Sequence, residues 1–439
     1  MFCGTCGTQH ADNARFCPGC GAIRAAPGGG ESPRPAGARR LKLPRYLLPA
    51  VAALLVVGGT GYAGWRYAQT KAAEKPASSW PIVVTVNGKC GAIDSTGKYV
   101  LNPNYEGLSD ISDSGLAAFR QGNLWGFVDT TGKVVIPPSF DTVQAFGPNA
   151  LAAVQTGGSW GFIDRAGKLV IQPQYQNAFA FEQDGGAWVQ QGELWGRIDK
   201  FGRYVIPPRF AAVQPFAFGL APVEVGKMWG MIDPSGTEAI SPRFEMVSAF
   251  NANGVASVSL GGKMGLIDRT GNLLIPPIYD WMTTSDDDIF AVRKGTKQGY
   301  VDQTGKLVIP LMFDGAGSFD GADLAPVQNA NAKWGYIDRT GKFVIAPNFD
   351  WTDAYHFSHA IVQSGKLFGL IDGSGSLVVP AGYLTMVRRV RVAGDAKVEY
   401  LDTILAQAPN GKWGVMSPSG KMLIAPRFDA IGCETEQGE

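Results

Sequence analysis

A unit of about 35 residues recurs from residue 82 to the end of the chain, and this periodicity constrains the fold more than any other feature. Each unit carries a glycine that in most cases follows a bulky residue. Ten such pairs occur: Cys90-Gly91, Trp125-Gly126, Trp160-Gly161, Trp195-Gly196, Trp229-Gly230, Met264-Gly265, Gln298-Gly299, Trp334-Gly335, Phe368-Gly369 and Trp413-Gly414. One unit is too small to bury an apolar face, whereas stacked units cover one another. The sequence therefore predicts a repeat domain over residues 81–434.

Short strands joined by tight turns explain the residues within each unit. Apolar and polar residues alternate over short stretches, and Ile-Asp-x-x-Gly-Lys between two such stretches predicts a hairpin. The aspartate can cap the turn, and the glycine can adopt a positive φ. Proline pairs such as Pro137-Pro138 cannot donate hydrogen bonds within a sheet, so each must end a strand or lie at an edge. With 58 glycines and 28 prolines, the bulk of the chain is predicted to be β-structure.

The repeated residues resemble the WG (or KWG) repeat family of bacterial proteins, over about four fifths of the chain. Two architectures fit the units: a closed β-propeller of small blades, which we favour, or an open spiral of β-hairpins. The fold-class prediction is therefore mainly β, with ten WG units in a β-propeller-like domain, an N-terminal zinc ribbon and one transmembrane helix. The family resemblance implies a fold unit more than a function.

Two cysteines lie near the two ends of the repeat domain. Cys90 takes the tryptophan position of the first unit, and Cys433 lies in the last segment of the final unit. Closing the ring would bring these positions close together, so we hypothesise a disulfide between them in an oxidising compartment. The alternative is two unrelated small buried residues.

Residues 1–26 contain two matched Cys-x-x-Cys-Gly sequences, which predict a zinc ribbon. The ligands would be Cys3, Cys6, Cys17 and Cys20, which complete a tetrahedral zinc site without His10. A module this short buries little apolar surface, so zinc binding must supply its folding energy. Redox-active or disulfide-bonded cysteine pairs are the alternative. The segment resembles the zinc-ribbon modules at the N-termini of many bacterial membrane proteins.

Residues 27–43 are rich in proline, glycine and arginine and predict a disordered linker. Residues 44–68 predict a transmembrane helix, because no charge occurs between Arg45 and Arg66 and the run is long enough to span a bilayer core. A cleaved signal peptide is the less favoured alternative. Residues 69–80 form a second linker.

The distribution of positive charge predicts how the chain is oriented in the membrane. More arginine and lysine precede the apolar run than follow it, which favours a cytoplasmic ribbon and a periplasmic or extracellular repeat domain. We therefore expect a single-pass protein of the bacterial inner membrane. Small residues four apart, Gly59 with Ala63 and Thr60 with Gly64, make a homodimer through this helix possible.

Residues that break the repeat are the places to search for a site. His356 and His359 could bind metal, but a spacing of three puts them on opposite faces of a strand, so we expect exposed or core-rim histidines. Asp286, Asp287 and Asp288 lack the ligand pattern of a calcium loop and are predicted to form a solvated turn. The last unit carries an insertion with Arg388, Arg389 and Arg391, which is the favoured contact patch.

No catalytic motif accompanies these residues, so we expect a protein that binds and does not catalyse. The 39 lysines and arginines nearly balance the 38 aspartates and glutamates, which argues against nucleic acid as a partner. The predicted function is a membrane-anchored binding or scaffold protein, with the WG domain facing the cell envelope and the ribbon engaging a protein partner. A cell-wall glycan-binding protein is the alternative, and an envelope enzyme is less favoured.

Overall fold

The structure is a computed structural model that describes residues 81–283, 287–319, 322–392 and 398–433. The described part contains forty strands arranged in ten antiparallel sheets of four strands each. Each sheet corresponds to one sequence unit and forms one blade of a β-propeller. Blade 1 contains β1 (Ile82–Val86), β2 (Lys89–Ile93) and β3 (Tyr99–Tyr105) and takes its remaining strand from the C-terminal end of the domain.

The other blades each contain four consecutive strands, and the first strand has two residues in every blade except the tenth. Blades 2 to 4 consist of β4 (Gly107–Leu108), β5 (Leu116–Gln121), β6 (Leu124–Asp129), β7 (Val134–Phe140); β8 (Thr142–Val143), β9 (Ala152–Thr156), β10 (Ser159–Ile163), β11 (Leu169–Tyr175); and β12 (Asn177–Ala178), β13 (Ala187–Gln191), β14 (Leu194–Ile198), β15 (Tyr204–Phe210). Blades 5 to 7 consist of β16 (Ala212–Val213), β17 (Ala221–Val225), β18 (Met228–Ile232), β19 (Glu238–Phe244); β20 (Met246–Val247), β21 (Val255–Leu260), β22 (Lys263–Asp268), β23 (Leu273–Tyr279); and β24 (Trp281–Met282), β25 (Ile289–Lys294), β26 (Lys297–Asp302), β27 (Leu307–Phe313). Blades 8 to 10 consist of β28 (Gly315–Ala316), β29 (Leu324–Gln328), β30 (Trp334–Asp338), β31 (Phe343–Phe349); β32 (Trp351–Thr352), β33 (His359–Ser364), β34 (Leu367–Asp372), β35 (Leu377–Tyr383); and β36 (Thr385–Val392), β37 (Val398–Gln407), β38 (Trp413–Met416), β39 (Met422–Phe428).

The last strand, β40 (Ala430–Ile431), closes the ring by pairing antiparallel with β1. Thr85 lies opposite Ala430, and Val84 lies opposite Ile431. The amide of Gly432 extends this pairing by donating a 2.8 Å hydrogen bond to the carbonyl of Val83. Because the two ends of the domain share one sheet, the fold is a closed ten-bladed β-propeller, and the open-spiral alternative is excluded.

The turn between the third and fourth strands is capped by an aspartate in nine blades and by Ser417 in blade 10. In blade 6, Oδ1 of Asp268 accepts hydrogen bonds of 2.9 Å from the amides of Thr270 and Asn272. Gly271 completes this turn with a φ of 83°. This turn fixes where the fourth strand begins in each blade, because only glycine adopts that φ without strain.

Close contact between the third and fourth strands explains the glycine of each Trp-Gly pair. In blade 3, a Cβ on Gly161 would lie 2.6 Å from the carbonyl oxygen of Ile171 and 2.7 Å from the nitrogen of Pro173. The preceding Trp160 is buried and pairs across the sheet with Tyr175. Any larger residue at the glycine position would therefore push the edge strand away from its sheet.

Neighbouring blades contact one another through the turn glycines. The glycine of each turn packs against an aliphatic side chain in the fourth strand of the preceding blade, as in Gly202 on Ile171 and Gly305 on Ile275. The contact between Gly97 of blade 1 and Ile424 of blade 10 belongs to the same series and completes it around the ring. The core is thus a sequence of repeated contacts between blades.

In blades 2 to 10 one end of the strands carries both the loop that enters the second strand and the turn that enters the fourth. Because the strands alternate in direction, the loop between the first and second strands lies at the same end as the turn between the third and fourth. We call this end the loop face. Hydrogen bonds between loop and turn confirm the arrangement, as in Arg339, whose guanidinium reaches the carbonyl of Ala322 at 3.4 Å.

The transmembrane helix in the fold-class prediction is overturned. Within the described ranges all regular structure is β, and no helix there is long and apolar enough to cross a membrane. The prediction relied on the apolar length of residues 44–68, which measures partition into lipid and does not by itself establish a helix. That segment lies outside the described residues, as do residues 1–26, 27–43 and 69–80.

Candidate binding site on blade 4

Blade 4 departs from the other blades at several positions on or near the loop face. The first departure is Phe201, in the turn after β14. The same turn position is occupied in the other nine blades by a small residue: Thr96, Thr131, Ala166, Ser235, Thr270, Thr304, Thr340, Ser374 or Ser419. Phe201 makes the usual backbone hydrogen bond, from its amide to Oδ1 of Asp199 at 2.9 Å. Its ring is therefore not needed for the turn.

The Phe201 side chain is 65% exposed, the highest value among the exposed large apolar residues of the described part. Two cations flank it: Nζ of Lys200 and the guanidinium carbon of Arg203 each lie 5.2 Å from the ring centroid. Tyr204 follows with 38% exposure. An exposed aromatic ring held between cations is characteristic of residues that contribute strongly to binding. We call Asp184, Lys200, Phe201, Arg203 and Tyr204 the blade 4 patch.

The second departure lies beneath this patch, where Arg197 replaces an apolar residue of the third strand. In blades 2 and 3 this residue is a phenylalanine that packs against an aromatic ring in the loop of the next blade: Phe127 with Phe146 and Phe162 with Phe181, both at 4.8 Å between ring centroids. In blade 4 the guanidinium carbon of Arg197 lies 4.5 Å from the centroid of Phe216. A cation–π contact thus replaces a contact between two rings.

Two carboxylates from the loop of blade 4 pair with Arg197. Its Nη2 lies 3.0 Å from Oε2 of Glu182 and 2.5 Å from Oδ1 of Asp184. The Arg197 side chain is only 3% exposed, whereas that of Asp184 is 34% exposed. Gly186 gives the arginine its space, since a Cβ there would collide with the guanidinium. Burial of the Arg197 guanidinium therefore depends on the space at Gly186 and on the charges of Glu182 and Asp184.

Trp188 completes the cluster. It lies directly opposite Arg197 in the β13–β14 pairing, at a position where the neighbouring blades have Ala153 and Pro222. The indole is fully buried and stacks on Phe216 with an interplanar angle of 3°. A large ring thus fills a position that is small in the adjacent blades.

Three buried polar atoms of this cluster have no hydrogen-bond partner among the described residues: Oε1 of Glu182, Nε1 of Trp188 and Nε of Arg197. They make up three of the five such side-chain atoms in the described part of the chain. Burial raises the pKa of the Glu182 carboxyl to about 7, and the charge of Arg197 only partly offsets this effect. Unpaired buried groups are costly, so their concentration at one place requires an explanation.

The predicted contact patch in the last unit has a different environment. Arg388 is buried in an ion pair, with its Nε 2.9 Å from Oδ2 of Asp353, and its Nη2 donates a 2.7 Å hydrogen bond to the carbonyl of His359. Arg389 lies 3.7 Å from Oδ1 of Asp110. Arg391 belongs to β36, but its side chain lies outside the described part. Arg388 is therefore not an exposed contact residue, because the insertion packs against blade 9.

The two histidines face each other across a tight turn, and not along one strand as the sequence suggested. Phe357 and Ser358 adopt φ values of 53° and 62°, and the amide of each histidine donates to the carbonyl of the other. The His356 ring stacks on Tyr400 at 3.5 Å. Burial lowers the pKa of His356 to about 3, so the ring is neutral at physiological pH.

Two residues of the acidic triplet pair with an arginine of the next blade. Asp286 lies outside the described residues, while Asp287 and Asp288 both pair with Arg339, at 3.4 and 2.6 Å. Among the described residues no cluster of histidine, cysteine and carboxylate side chains could hold a metal ion. The predicted zinc ligands Cys3, Cys6, Cys17 and Cys20, and His10 beside them, lie outside those residues.

Cys90 and Cys433 are brought together by ring closure and form a disulfide, with Cα atoms 5.7 Å apart. Cys90 is buried among apolar residues of blades 1 and 2, and Cys433 packs against the same group. The bond joins the third strand of blade 1 to the chain two residues beyond β40, the strand that the C-terminal end contributes to the same blade.

The sequence reasoning missed the blade 4 residues, although the signal was present. Aligning the ten units position by position shows Gly186, Arg197 and Phe201 as exceptions, each in a column otherwise filled by another class of residue, whereas the column of Glu182 also contains Asp286 and Asp320. These residues are single substitutions within a unit of normal length and contain no histidine, acidic run or insertion, so only a comparison of the units makes them visible.

Two family models match the sequence. The model described as a WG containing repeat matches nine segments, at residues 91–125, 125–160, 160–195, 195–229, 229–263, 264–297, 299–333, 334–367 and 413–438. The residues between 367 and 413, which include the insertion, are not matched. The model described as a zinc-ribbon domain matches residues 2–23. No protein of curated function matches the chain.

Several solved structures are similar at low sequence identity. A eukaryotic initiation factor is 11% identical with a TM-score of 0.42, covering 80% of this chain and 96% of that chain. Hsv2 from Kluyvelomyces marxianus is 10% identical with a TM-score of 0.32, covering 67% and 98%. BamB from Moraxella catarrhalis is 10% identical with a TM-score of 0.30, covering 76% and 92%.

Proposed function

This chain belongs to the WG-containing repeat family, and we propose that it is a binding or scaffold protein that contacts its ligand through the blade 4 patch. The chain combines a WG-repeat propeller with a zinc-ribbon domain, a combination that suggests binding more than catalysis. The repeated strands and turns are accounted for by the fold itself. A specific function must therefore reside in residues that differ between blades.

The exposure of Phe201 is the observation that carries this proposal. A phenyl ring that is 65% exposed contributes nothing to its own turn, because nine other blades form the same turn with a small residue. Aromatic and arginine side chains dominate the energetics of interfaces, and polar groups such as Asp184 and Lys200 suit the rim. Binding would transfer the ring from water to an apolar environment.

We also propose that the propeller has no catalytic activity. The most strongly perturbed carboxyls, Glu182 and Asp353, are both engaged by buried arginines. The neutral His356 is occupied by stacking on Tyr400. Neither arrangement combines a free nucleophile with a base.

The disulfide supports a location for the propeller in an oxidising compartment, which in a bacterium is the cell envelope. Disulfides persist there and are rare in the cytosol. Under this proposal Cys90 and Cys433 contain no free thiol in protein taken directly from cells. Non-reducing mass spectrometry after rapid alkylation measures this, and two alkylated thiols at these positions would contradict the envelope location.

The zinc ribbon is proposed to hold one zinc ion through Cys3, Cys6, Cys17 and Cys20 and to engage a protein partner. The match over residues 2–23 supports the metal, because four cysteine thiolates are a common ligand set for structural zinc. The partner would contact a module separate from the blade 4 patch. The chain would then connect two ligands, as a scaffold does.

Site-specific photocrosslinking in cells tests the function of the patch. A photoreactive phenylalanine analogue replaces Phe201, and a matched control carries it in place of Thr131, the same exposed turn position in blade 2. We expect a discrete crosslinked species from position 201 and none from position 131. Equal crosslinking from both positions, or none from either, would refute the assignment of the patch.

A further inference from the structure

We propose that the buried cluster behind the blade 4 patch, formed by Glu182, Trp188 and Arg197, is a recognition site for a saccharide that carries an acetamido group. This inference rests on the proposed binding function of the patch and names the class of its ligand. The nine other blades lack the cluster, so it is not part of the propeller framework.

The unsatisfied atoms define what the ligand must offer. Nε1 of Trp188 and Nε of Arg197 are donors, and Oε1 of Glu182 is an acceptor when ionised. An amide group complements this set, because its carbonyl accepts from the two N–H groups while its N–H donates to the carboxylate. A simple anion would satisfy the donors only and would meet the Glu182 and Asp184 carboxylates, and a cation would meet Arg197.

The surroundings favour an acetamido group on a sugar. Phe216 is partly exposed beside the cluster, and Phe201 is exposed on the adjacent turn. The apolar face of a pyranose packs on such rings, and its hydroxyls suit polar side chains such as Asp184 and Lys200. Ala187 of β13 lies opposite Ile198 of β14, so the next residues outward, Gly186 of the loop and Asp199 of the turn, lie side by side. The loop and the turn therefore form one surface.

Access requires movement of the loop at residues 182–186. The three unsatisfied atoms are buried, and Asp184 is the exposed partner of Arg197. Gly185 and Gly186 follow Asp184 directly, and Gly185 has a φ of 85°. Two adjacent glycines allow the Asp184 carboxylate to swing away while Glu182 keeps its contact with Arg197.

The replacement Trp188→Phe isolates the proposed hydrogen bond. It keeps an aromatic ring against Phe216 and removes one buried donor that has no partner. We expect the variant to fold, because removal of a buried unpaired donor offsets part of the packing lost with the larger ring, while saccharide affinity falls about tenfold, as for one hydrogen bond to a buried donor. Trp160→Phe in blade 3 is the matched control and leaves affinity unchanged.

The replacement Phe201→Ser tests the exposed ring. Serine occupies this turn position in blades 5, 9 and 10, so the variant retains the fold. We expect affinity to fall at least tenfold. Met246→Ser, which removes another strongly exposed apolar side chain at the opposite end of the strands, is its control.

Calorimetric titration of the full chain with three trisaccharides decides the ligand class. The probes are the trimer of N-acetylglucosamine, the deacetylated glucosamine trimer and the glucose trimer. We expect the acetylated trimer to bind at least tenfold more tightly than the other two. Equal binding of the glucose trimer would show recognition of hydroxyls and overturn the acetamido assignment, and unchanged affinity in Trp188→Phe would overturn the site.

Crosslinking at position 201 and titration with the trisaccharides together distinguish failure of the saccharide assignment from failure of the patch as a binding surface. If no trisaccharide binds while position 201 still crosslinks in cells, the saccharide assignment fails and the patch remains a binding surface. If position 201 does not crosslink and no trisaccharide binds, both fail.

Discussion

Cys90 and Cys433 are bonded to each other although 343 positions separate them in the sequence. Cys90 belongs to β2, and Cys433 lies two residues beyond the end of β40, which is a strand of the same four-stranded sheet. The disulfide therefore reinforces the one blade that is assembled from both ends of the domain. Opening the ring requires the loss of the β1–β40 pairing and the breaking of this covalent bond.

Removal of the disulfide is expected to lower the free energy of unfolding by up to about 6 kcal/mol, the loop-entropy value for a chain of this length. The double variant Cys90→Ser/Cys433→Ser, compared with wild type by urea denaturation, measures the loss. Wild type under reducing conditions is the control and should reach the same midpoint. An unchanged midpoint in the double variant would show that strand pairing alone holds the ring closed.

The glycine of the Trp-Gly pair provides a second prediction. Gly161→Ala should lower the free energy of unfolding by about 3 kcal/mol, because the new methyl group would meet the backbone of Ile171 and Pro173 at less than van der Waals distance. Gly373→Ala is the matched control: no atom lies within 4 Å of its Cβ position, and its φ is not positive. Its effect should stay within about 0.5 kcal/mol. Equal effects on the denaturation midpoint would contradict the packing explanation.

The strands and turns of a blade could be predicted from the repeat, because the strand pattern, the turn aspartate and the turn glycine all lie within one unit of about 35 residues. The capped turns at Asp129 and Asp268 follow from aspartate, glycine and their spacing. Ring closure depends on a contact between distant parts of the chain, so the sequence left two architectures open. The transmembrane helix in the fold-class prediction was wrong, since no helix within the described ranges is long and apolar enough to cross a membrane.

The candidate site was less predictable for a physical reason. Arg197, Glu182 and Gly186 are informative only together: the glycine makes space for the guanidinium, and the carboxylate neutralises it. An alignment of the units shows that Gly186 and Arg197 differ from their counterparts, but it does not show that they meet Glu182 in one cluster. The arginines of the insertion attracted attention because they are adjacent, yet Arg388 is buried against Asp353.

Glu182 should make stability depend on pH. Its pKa is raised by burial to about 7 in the folded protein, from 4.5 as the ordinary value, so the folded state binds the proton more tightly than the unfolded state. This contribution is complete below about pH 4.5 and is lost as the pH rises through about 7. The difference corresponds to roughly 3 kcal/mol.

Glu182→Gln should remove this part of the pH dependence. Wild type is expected to lose stability between pH 5 and 8 relative to the variant, as measured by the free energy of unfolding at each pH. Glu193→Gln, an exposed residue on the hairpin of the same blade, is the control and should track wild type. Parallel curves for wild type and Glu182→Gln would show that Glu182 ionises normally.

The zinc ribbon leads to a prediction about metal content. Purified protein should contain one zinc per chain, and replacing Cys3 and Cys6 together by serine should abolish it, because two ligands cannot hold structural zinc in tetrahedral geometry. Elemental analysis measures the stoichiometry. The double variant Cys90→Ser/Cys433→Ser is the control and should retain the metal. Full zinc content in the Cys3/Cys6 variant would place the ion elsewhere.

The buried pair Arg388–Asp353 connects the insertion of blade 10 to blade 9, and breaking it on one side should be more harmful than removing it. Arg388→Met leaves the Asp353 carboxylate buried without its cation and should cost about 3–5 kcal/mol. Adding Asp353→Leu removes the unpaired buried carboxylate, so the double variant should be more stable than Arg388→Met, although Ile361 loses an acceptor for its amide.

Lys412→Met is the control. It breaks the exposed pair with Asp429 and should lower the free energy of unfolding by less than about 1 kcal/mol. These four proteins can be compared by urea denaturation at pH 7. A double variant that is less stable than Arg388→Met would mean that Asp353 holds the loop of blade 9 mainly through its bond to the Ile361 amide, and that the arginine is secondary.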